Sequence, residues 1–364
     1  MSDDGLHSIE LSDADEPKTR RRSNLFKVLV SLAVLALILV GGGAGAAYFA
    51  SQHIGNSVKR IPNAFTDIPA KTRPTKATTG HAAKAMNILL AGSDLRASGH
   101  TTGKDAKIST EWEQGGQRTD AIMLVHISGD RKSAYVMSIP RDSWVSIPGY
   151  GKNKINAAYS FGGPSLFIRT IEKLTDVHID HLAFIDWDGF KSLTDALGGV
   201  DLTLDSRVQG VSGKTYGPGK VHMNGTDALD YVRERHTVPG GDFGRQKRQQ
   251  NFLRAVMHKL LSQGTLKNPI KLTKALNAIA DNLSVDDTFS TGDMRSLALS
   301  MRNIRSSNVT FMSVPNAGTG TEGSQSVVYL DTKKCDRLWK AINADDIAHY
   351  IEVNGADTLG HDVR

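Results

Sequence analysis

The amino-acid sequence predicts an α/β protein: a central mixed, mostly buried sheet with helices on both faces, preceded by one N-terminal transmembrane helix. Strand-like and helix-like segments alternate along the chain, and the strands are nearly continuous apolar runs, as in sheets covered on both sides. An uncharged stretch at residues 28–50 is long enough to cross the roughly 30 Å hydrocarbon core of a bilayer as a helix. With 39% hydrophobic and 23% charged residues, the remainder has the composition of a globular protein.

The segment before the apolar stretch predicts its orientation. Residues 1–27 are polar and end in a basic run made of Lys18, Arg20, Arg21, Arg22 and Lys27. Basic flanks stay in the cytoplasm, so we expect a cytoplasmic tail and a single-pass cell-membrane protein whose later residues are extracytoplasmic. Ala44-Gly45-Ala46 resembles a cleavage site, but the apolar run exceeds the about 7–15 residues of a signal peptide, so we expect an uncleaved signal-anchor.

The rest of the chain divides by composition. Residues 51–84 are rich in proline, lysine and threonine and show no sustained period, which predicts an extracytoplasmic linker. We expect one folded domain at residues 85–345 and a C-terminal tail at 346–364. A single cysteine, Cys335, forms no internal disulfide and has no second thiolate for a zinc site, so we expect it to be a packing residue.

Apolar runs and helical periods predict the elements of the domain in order. Strands are predicted at residues 87–91, 121–127, 134–139, 181–186, 200–204, 309–314 and 327–330. Helices are predicted at 155–161, 165–174, 189–197, 226–232, 243–262, 270–279, 291–301 and 332–341. Pro140 ends the third strand, and Gly162-Gly163-Pro164 separates the first two helices. Asn224 or Thr226 is expected near the N-terminal cap of the fourth.

Several familiar motifs fail on inspection. The Gly-Lys-Thr sequence ending at Thr215 lacks the glycine that a phosphate loop needs at position 208, which is Val208. Asp242-Phe243-Gly244 has none of the upstream kinase motifs. His126 lies in an apolar strand and is expected to be a satisfied core residue.

The net charge of +6 suits nucleic acid, anionic lipid or phosphorylated substrates. No helix-turn-helix pattern is present, and the anchor places the domain outside, so we expect no nucleic-acid partner.

Acidic and basic residues follow or precede the predicted strands. Asp94 follows the first strand, Arg118 and Asp120 precede the second, and Arg141 and Asp142 follow the third. Ligands of α/β sheets bind at such strand ends, although surface salt bridges are the alternative for any one of these residues. The two aspartates Asp94 and Asp120 would repel each other without a cation, which favours Mg²⁺ shared with phosphate oxygens.

Further basic residues come from the helices. Lys154 precedes the first predicted helix, and Arg245 and Gln249 share one face of the long helix. Arg233 and Arg235 are two residues apart, so both reach one site only if the helix has ended and the chain is extended. Arginine presents a fork of donors that matches phosphate oxygens, so a convergent set predicts a phosphate or pyrophosphate ligand.

In their order and spacing these residues resemble the LytR-CpsA-Psr family over about residues 85–260. The matching stretches are Asn87–Asp94, Arg118–Met123, Ser138–Asp142, Lys154–Tyr159, Leu197–Val200, Tyr231–Arg235, Asp242–Arg245 and Arg248–Gln250. The resemblance implies an α/β domain with a deep apolar pocket for a polyprenyl chain and the pyrophosphate at its mouth. It also implies Mg²⁺, or Mn²⁺ in its place, as the cofactor.

The resemblance implies a phosphotransferase of the cell wall. Such enzymes move a phosphorylated glycan, such as teichoic acid or arabinogalactan, from a polyprenyl-pyrophosphate carrier to peptidoglycan and release polyprenyl phosphate. By motif match, Asp94 and Asp120 would bind the metal, and the catalytic residues would be Arg141 with Asp94 and Asp142. The pyrophosphate would be held by Arg118, Arg141, Lys154, Arg233, Arg235, Arg245 and Gln249. A polyprenyl-pyrophosphate pyrophosphatase and a non-catalytic polyprenyl-phosphate binding protein are the alternatives.

Overall fold

A computed structural model describes most of the predicted domain. The described residues are 58–95, 117–185, 187–234, 237, 241–260, 277, 281–300 and 304–359. Within these ranges, no helix combines the length and the apolar character needed to cross a membrane. The predicted cytoplasmic tail and signal-anchor, residues 1–50, lie outside the described residues.

A seven-stranded mixed sheet forms the centre of the described structure. In spatial order it contains β1 (Lys59–Ile61), β12 (Ser284–Asp286), β7 (His181–Ile185), β2 (Met86–Leu95), β3 (Gln117–Ile127), β4 (Ala134–Ile139) and β13 (Val309–Ser313). Strand β3 is antiparallel to both β2 and β4, whereas β7 is parallel to β2 and β13 is parallel to β4. All six residues of β4 are buried, as the continuous apolar run predicts. The predicted central mixed sheet is confirmed.

Four two-stranded sheets surround the central one in the described part of the chain. They pair β5 (Trp144–Ile147) with β6 (Gly151–Lys154), β8 (Val200–Leu204) with β11 (Gly219–Met223), β9 (Val208–Gln209) with β10 (Thr215–Tyr216), and β14 (Asn316–Glu322) with β15 (Gln325–Leu330). Most of these strands are absent from the sequence prediction because they are short and largely exposed, so they carry no apolar run.

Seven described helices complete the fold. They are α1 (Ala157–Thr175), α2 (Trp187–Ala196), α3 (Gly225–Arg233), α4 (Asp242–Leu260), α5 (Thr291–Ser300), α6 (Thr332–Asn343) and α7 (Ile347–Asn354). Gly162 and Gly163 have non-helical backbone angles inside α1, so the predicted break between two helices is present as a kink. Asn224 caps α3 by accepting a hydrogen bond from the Asp227 N–H at 2.9 Å. The helix predicted at 270–279 lies outside the described residues except for residue 277.

Helices α1 and α4 cover opposite faces of the sheet. Through the pairs across β3 and β2, Ser138 and Ala183 stand in one row and share a face, so the next residue, Phe184, points to the other face. Gln250 of α4 donates a hydrogen bond to the Ser138 hydroxyl on the first face. Tyr159 of α1 packs on Phe184 on the second, with ring centroids 4.9 Å apart. The sheet is therefore covered on both sides, as predicted.

The folded region begins earlier and ends later than the predicted boundaries at residues 85 and 345. Val58 and Ile61 belong to the hydrophobic core, and β1 pairs with β12 in the central sheet, within the stretch expected to be a linker. In the expected C-terminal tail, α7 packs on α6, and the Leu359 N–H donates to the Phe311 carbonyl at 2.9 Å. Both segments pair with strands that are distant in sequence, so no local pattern indicates their place.

Candidate functional site

Three neighbouring strand ends meet at one edge of the central sheet. This arginine edge consists of residues 92–95 at the end of β2, 117–121 at the start of β3, and 139–142 at the end of β4. Because β3 is antiparallel to both neighbours, its N-terminal end lies beside their C-terminal ends. The pair Ile122 and Ile139 fixes this register between β3 and β4. Segments that are well separated in sequence are thus brought to one place.

The backbone register places the predicted metal ligands on adjacent strands of the arginine edge. Asp94 pairs directly with Arg118, and the register shifts between Gly92 and Ser93, so that Asp120 occupies the resulting bulge. Only the backbone of Asp94, Arg118 and Asp120 is described. The sequence prediction that these three residues lie together is met at the level of the backbone.

Arg141, Asp142 and Lys154 form a chain of charges at the same edge. Arg141 follows the strand-ending Pro140 and is buried. One carboxylate oxygen of Asp142 lies 3.5 Å from Arg141 Nε, and the other lies 3.2 Å from Lys154 Nζ. The Asp142 carboxylate therefore holds two cationic side chains in place, one buried and one partly exposed.

Helix α4 reaches the arginine edge with its first two turns. Gln250 donates to the Ser138 hydroxyl at 2.9 Å and to the Met312 carbonyl at 3.2 Å, close to the C-terminal ends of β4 and β13. Lys247 forms an ion pair with Asp357 at 3.1 Å. The carbonyl of Asp357 in turn accepts from the N–H of the last residue of β13. The helix therefore runs antiparallel to β4 and β13, with its N-terminal end at the edge.

A second contact fastens the other side of α4 to helix α3. Arg248 donates from Nη1 to the carbonyls of Gln209 at 3.2 Å and Tyr231 at 3.4 Å, and its guanidinium lies 5.0 Å from the centroid of the Tyr231 ring. Arg248 is thus occupied by the backbone that precedes Arg233. Arg248 therefore joins α3 to α4.

Arg245 and Gln249 lie between these two contacts on the helix surface. At about 100° per residue, Gln249 stands between the directions of Arg248 and Gln250, and Arg245 lies one turn earlier on the same face. Arg245 is fully buried, and Gln249 is 2% exposed. The structure therefore presents a buried guanidinium and a buried amide at the arginine edge, between the end of α3 and the end of β4.

Arg233 is the last residue of α3. The following residue, Glu234, is extended, with φ −68° and ψ 134°, so the helix ends where the sequence argument requires it to end. Burial lowers the pKa of Arg233 to about 10, against the opposing effect of the Asp230 carboxylate. A guanidinium that has lost hydration in this way is stabilised by an anionic ligand. Arg235 lies outside the described residues.

The buried amide of Gln249 has an unused donor. Its Nε2 atom has no hydrogen-bond partner among the described residues. Buried polar atoms are nearly always paired, so an orphaned donor indicates a ligand that accepts a hydrogen bond, as a phosphate oxygen does. The phosphate contact predicted at Gln249 would supply such an acceptor.

Asp94 and Asp120 are of the residue type that binds magnesium, and their backbones lie on adjacent strands. Mg²⁺ is commonly held by one or two carboxylates together with substrate phosphates, and Asp94 and Asp120 lie on adjacent strand ends beside the arginines. Among the described residues there is no group of three or more histidine, cysteine or acidic side chains that could hold a metal without such a substrate. With two aspartates, a magnesium ion would take further oxygen ligands from a phosphorylated substrate.

The hairpin of β14 and β15 is a neighbour of the site that sequence reasoning did not include. The Val328 N–H donates to the Asp142 carbonyl at 2.9 Å, and Ser143 forms a bridge with Val328. The sequence signal here is weak because β14 consists of small and polar residues with no apolar run.

Two residues that the sequence excludes from the site are confirmed as structural. His126 is fully buried, and its ring nitrogens each lie 2.8 Å from a side-chain oxygen, one of Asn87 and one of Asp345. Cys335 is buried, donates to the Pro315 carbonyl at 3.2 Å, and has a pKa raised to about 12 by burial. Such a thiol is a packing residue and is unreactive in the native state.

A cluster of buried and braced arginines at one edge of a mixed sheet defines an α/β protein with a strongly basic candidate site. The family model described as the LytR_cpsA_psr family matches residues 56–344, and the chain belongs to this family.

Named relatives and a solved structure agree with this membership. The chain is 34% identical over 283 residues to the cell wall biosynthesis protein LcpA of Corynebacterium glutamicum, which covers 69% of this chain and 54% of that protein. It therefore spans about half the length of that relative. It is 32% identical over 263 residues to the polyisoprenyl-teichoic acid–peptidoglycan teichoic acid transferase TagU of Bacillus cereus, covering 71% of this chain and 79% of TagU. The structure of protein gbs0355 from Streptococcus agalactiae superposes with a TM-score of 0.58 at 25% identity, covering 72% of this chain and 88% of that one.

Proposed function

We propose that the protein is a magnesium-dependent phosphotransferase that attaches a phosphorylated glycan to peptidoglycan. A sugar hydroxyl of peptidoglycan attacks the glycan-linked phosphorus of a polyprenyl-pyrophosphate carrier. A new phosphorus–oxygen bond forms, the bond to the second phosphate breaks, and polyprenyl phosphate leaves. The proton of the attacking hydroxyl passes to a carboxylate, either Asp94 or Asp142. The transferred polymer is a wall glycan such as teichoic acid or arabinogalactan.

The observation that carries this proposal is the placement of Arg245. Its guanidinium is fully buried, on a helix fastened by Gln250 to the strand that ends at Arg141 and by Arg248 to the helix that ends at Arg233. Phosphoryl transfer is catalysed mainly by positioning and by fixed positive charge around the phosphate oxygens. Arg141, Arg233 and Arg245 meet that requirement, because contacts between strands and helices hold them in place.

The other site residues complete the charge around the pyrophosphate. Asp142 orients Arg141 and Lys154, because it contacts both. Arg118, Arg235 and Gln249 add donors to the phosphate oxygens. Magnesium, or manganese in its place, held by Asp94 and Asp120, would neutralise phosphate charge when bound.

The name of the relative TagU supports the reaction class, because it describes the transfer of teichoic acid to peptidoglycan by that protein. The location follows from the proposed signal-anchor at residues 28–50, which would hold the catalytic domain on the outer face of the membrane. An apolar pocket for the polyprenyl chain is part of the same proposal.

Two alternatives use the same residues. A pyrophosphatase would direct water, not a sugar hydroxyl, at the same phosphorus, and a carrier protein would bind the lipid without any reaction. Hydrolysis alone does not exclude transfer, because water enters the site when the acceptor is absent. The acceptor must therefore be present in the decisive experiment.

The test is transfer of a labelled glycan from a polyprenyl-pyrophosphate donor to peptidoglycan oligomers by the full-length chain in detergent, with magnesium or with EDTA. Asp120→Asn and Arg141→Ala are compared with Arg337→Ala, which changes an exposed arginine on α6. We expect magnesium-dependent labelling of the acceptor, a loss of about 100-fold or more in both site variants, and no change in the control.

Two results would contradict the proposal. Release of phosphate with no labelled acceptor, at saturating acceptor and with several donors, would establish the pyrophosphatase. Tight binding of the lipid with neither transfer nor phosphate release would establish the carrier protein.

A further inference from the structure

Helix α4 carries a second orphaned polar atom at the arginine edge. Gln246 is 7% exposed, and its Oε1 atom has no hydrogen-bond partner among the described residues. Leaving a buried acceptor unpaired is unfavourable, so such an atom indicates either a ligand or a packing defect. The motif stretches on this helix are Asp242–Arg245 and Arg248–Gln250, and Gln246 belongs to neither.

The helix geometry directs Gln246 toward the proposed site. Gln246 is three residues before Gln249 and four before Gln250, so all three side chains lie on neighbouring parts of one helix face. Gln250 is fastened to the end of β4, and Gln249 carries the orphaned donor described above. The side-chain amide of Gln246 therefore lies one turn before Gln250, on the part of α4 that faces the arginine edge.

The two orphaned atoms have opposite hydrogen-bonding character. Nε2 of Gln249 is a donor and suits a phosphate oxygen, whereas Oε1 of Gln246 is an acceptor and needs a donor. An ionised pyrophosphate has no N–H or O–H group to offer. Within a glycan-bearing pyrophosphate, hydroxyl and amide N–H donors are found on the sugars.

We propose that Gln246 recognises a sugar hydroxyl or amide N–H next to the reacting phosphate. This inference rests on the proposed function and deepens it, because it makes Gln246 a determinant of sugar specificity. The donor belongs either to the first sugar of the carried glycan or to the attacking sugar of the acceptor. Both sources present the same chemistry, and the experiment separates them.

The test uses Gln246→Met, which keeps the length of the side chain and removes its polar atoms, in the full-length protein. His258→Met is the control, because His258 is an exposed residue near the other end of α4. Binding is measured for polyprenyl pyrophosphate with and without one attached sugar, and steady-state transfer is measured against the donor and the acceptor separately. The melting temperature of the ligand-free protein is recorded for each variant.

If the inference is correct, Gln246→Met raises the ligand-free melting temperature by about 2–4 °C, because it removes an unpaired buried acceptor. It also weakens one sugar-dependent step about tenfold, as expected for one hydrogen bond, and leaves binding of the bare polyprenyl pyrophosphate unchanged. Loss of the preference for the sugar-bearing lipid assigns the contact to the carried glycan. A raised acceptor KM with unchanged lipid binding assigns it to the attacking sugar.

The inference would be overturned if Gln246→Met changed neither the preference for the sugar-bearing lipid nor the KM for the acceptor, whatever the melting temperature. Equal weakening for the bare and the sugar-bearing lipid would also overturn it, because Gln246 would then act on the phosphate or on the fold. The binding arm does not depend on turnover. A protein that binds the lipids but transfers nothing would refute the proposed function while leaving the carried-glycan contact tested.

Discussion

The side chain of Gln250 on α4 lies 2.9 Å from the Ser138 hydroxyl on β4, three residues before Arg141. This hydrogen bond, with a second to the Met312 carbonyl at 3.2 Å, sets the distance between the helix that carries Arg245 and the arginine edge of the sheet. The relationship makes Gln250 a structural residue that supports the site, although it stands within the same motif as Arg248 and Gln249.

Gln250→Leu should therefore reduce both stability and transfer. The change removes two hydrogen bonds and leaves the buried Met312 carbonyl without that donor, which costs about 1–3 kcal/mol. We expect a loss of about tenfold in transfer rate as α4 shifts, measured beside urea unfolding. Ser138→Ala is the comparison, because it removes a single hydrogen bond and should cost about 1 kcal/mol with nearly normal activity. Equal effects of the two variants would contradict this account.

Arg245→Lys should abolish most of the activity while the protein stays folded. Lysine keeps the positive charge but cannot present the planar fork of donors that spans two phosphate oxygens. The expected loss in kcat/KM for transfer is about 100-fold, with little change in circular dichroism. Arg337→Lys on the exposed face of α6 serves as the control and should have no effect. Near-normal activity of Arg245→Lys would show that charge alone is sufficient at this position.

Gly225→Ala tests the contact that positions α3 and hence Arg233. A Cβ atom at Gly225 would lie 2.4 Å from the Lys191 carbonyl of α2, so one helix would have to move. We expect a loss of about 1–3 kcal/mol in the free energy of unfolding, together with weaker pyrophosphate binding. Gly292→Ala is the matched control, because its nearest neighbour, Ser290 Oγ, would lie at 3.5 Å. The control should be neutral or up to about 1 kcal/mol more stable, and an equal loss in both would contradict the steric argument.

The buried Asp286 should contribute a pH-dependent part of the stability. Burial raises the pKa of Asp286. Hydrogen bonds from His181, Thr288 and the Leu182 N–H lower it, and together they outweigh burial, so the pKa lies below the usual 3.8. The unfolded chain then binds the proton more readily, so this stability is fully present above about pH 3.8 and is lost as the pH falls through the folded pKa.

The variant Asp286→Asn tests the direction of this pH dependence. The variant should be less stable than the wild type at pH 7, and the difference should shrink as the pH falls below about 4, measured by urea unfolding. Asp336→Asn, at an exposed position on α6, should follow the wild type throughout. A difference between Asp286→Asn and the wild type that grows on acidification would refute the assignment.

The central strands and the principal helices are predictable because they are long apolar or amphipathic segments. β4 occupies the predicted residues 134–139, and α4 begins within one residue of the predicted 243. The polar strand β14 and the three-residue edge strand β1 lack such a pattern. β14 is held in a hairpin by the adjacent β15, whereas β1 pairs with β12, which is distant in sequence.

The residues of the candidate site also fall into two groups: those that the sequence indicates and those that only the structure identifies. The sequence by itself determined which residue types are available, and the motifs from Asp94 to Gln249 indicated a phosphate ligand, because arginine forks and paired aspartates have few other uses in such spacing. It could not assign Arg248 to the Tyr231 carbonyl, or distinguish Gln246 with its unpaired Oε1 from its neighbours. Those distinctions depend on which direction around α4 faces the sheet. Only the tertiary structure decided that direction, because hydrogen bonds between residues far apart in sequence fix the rotation of the helix.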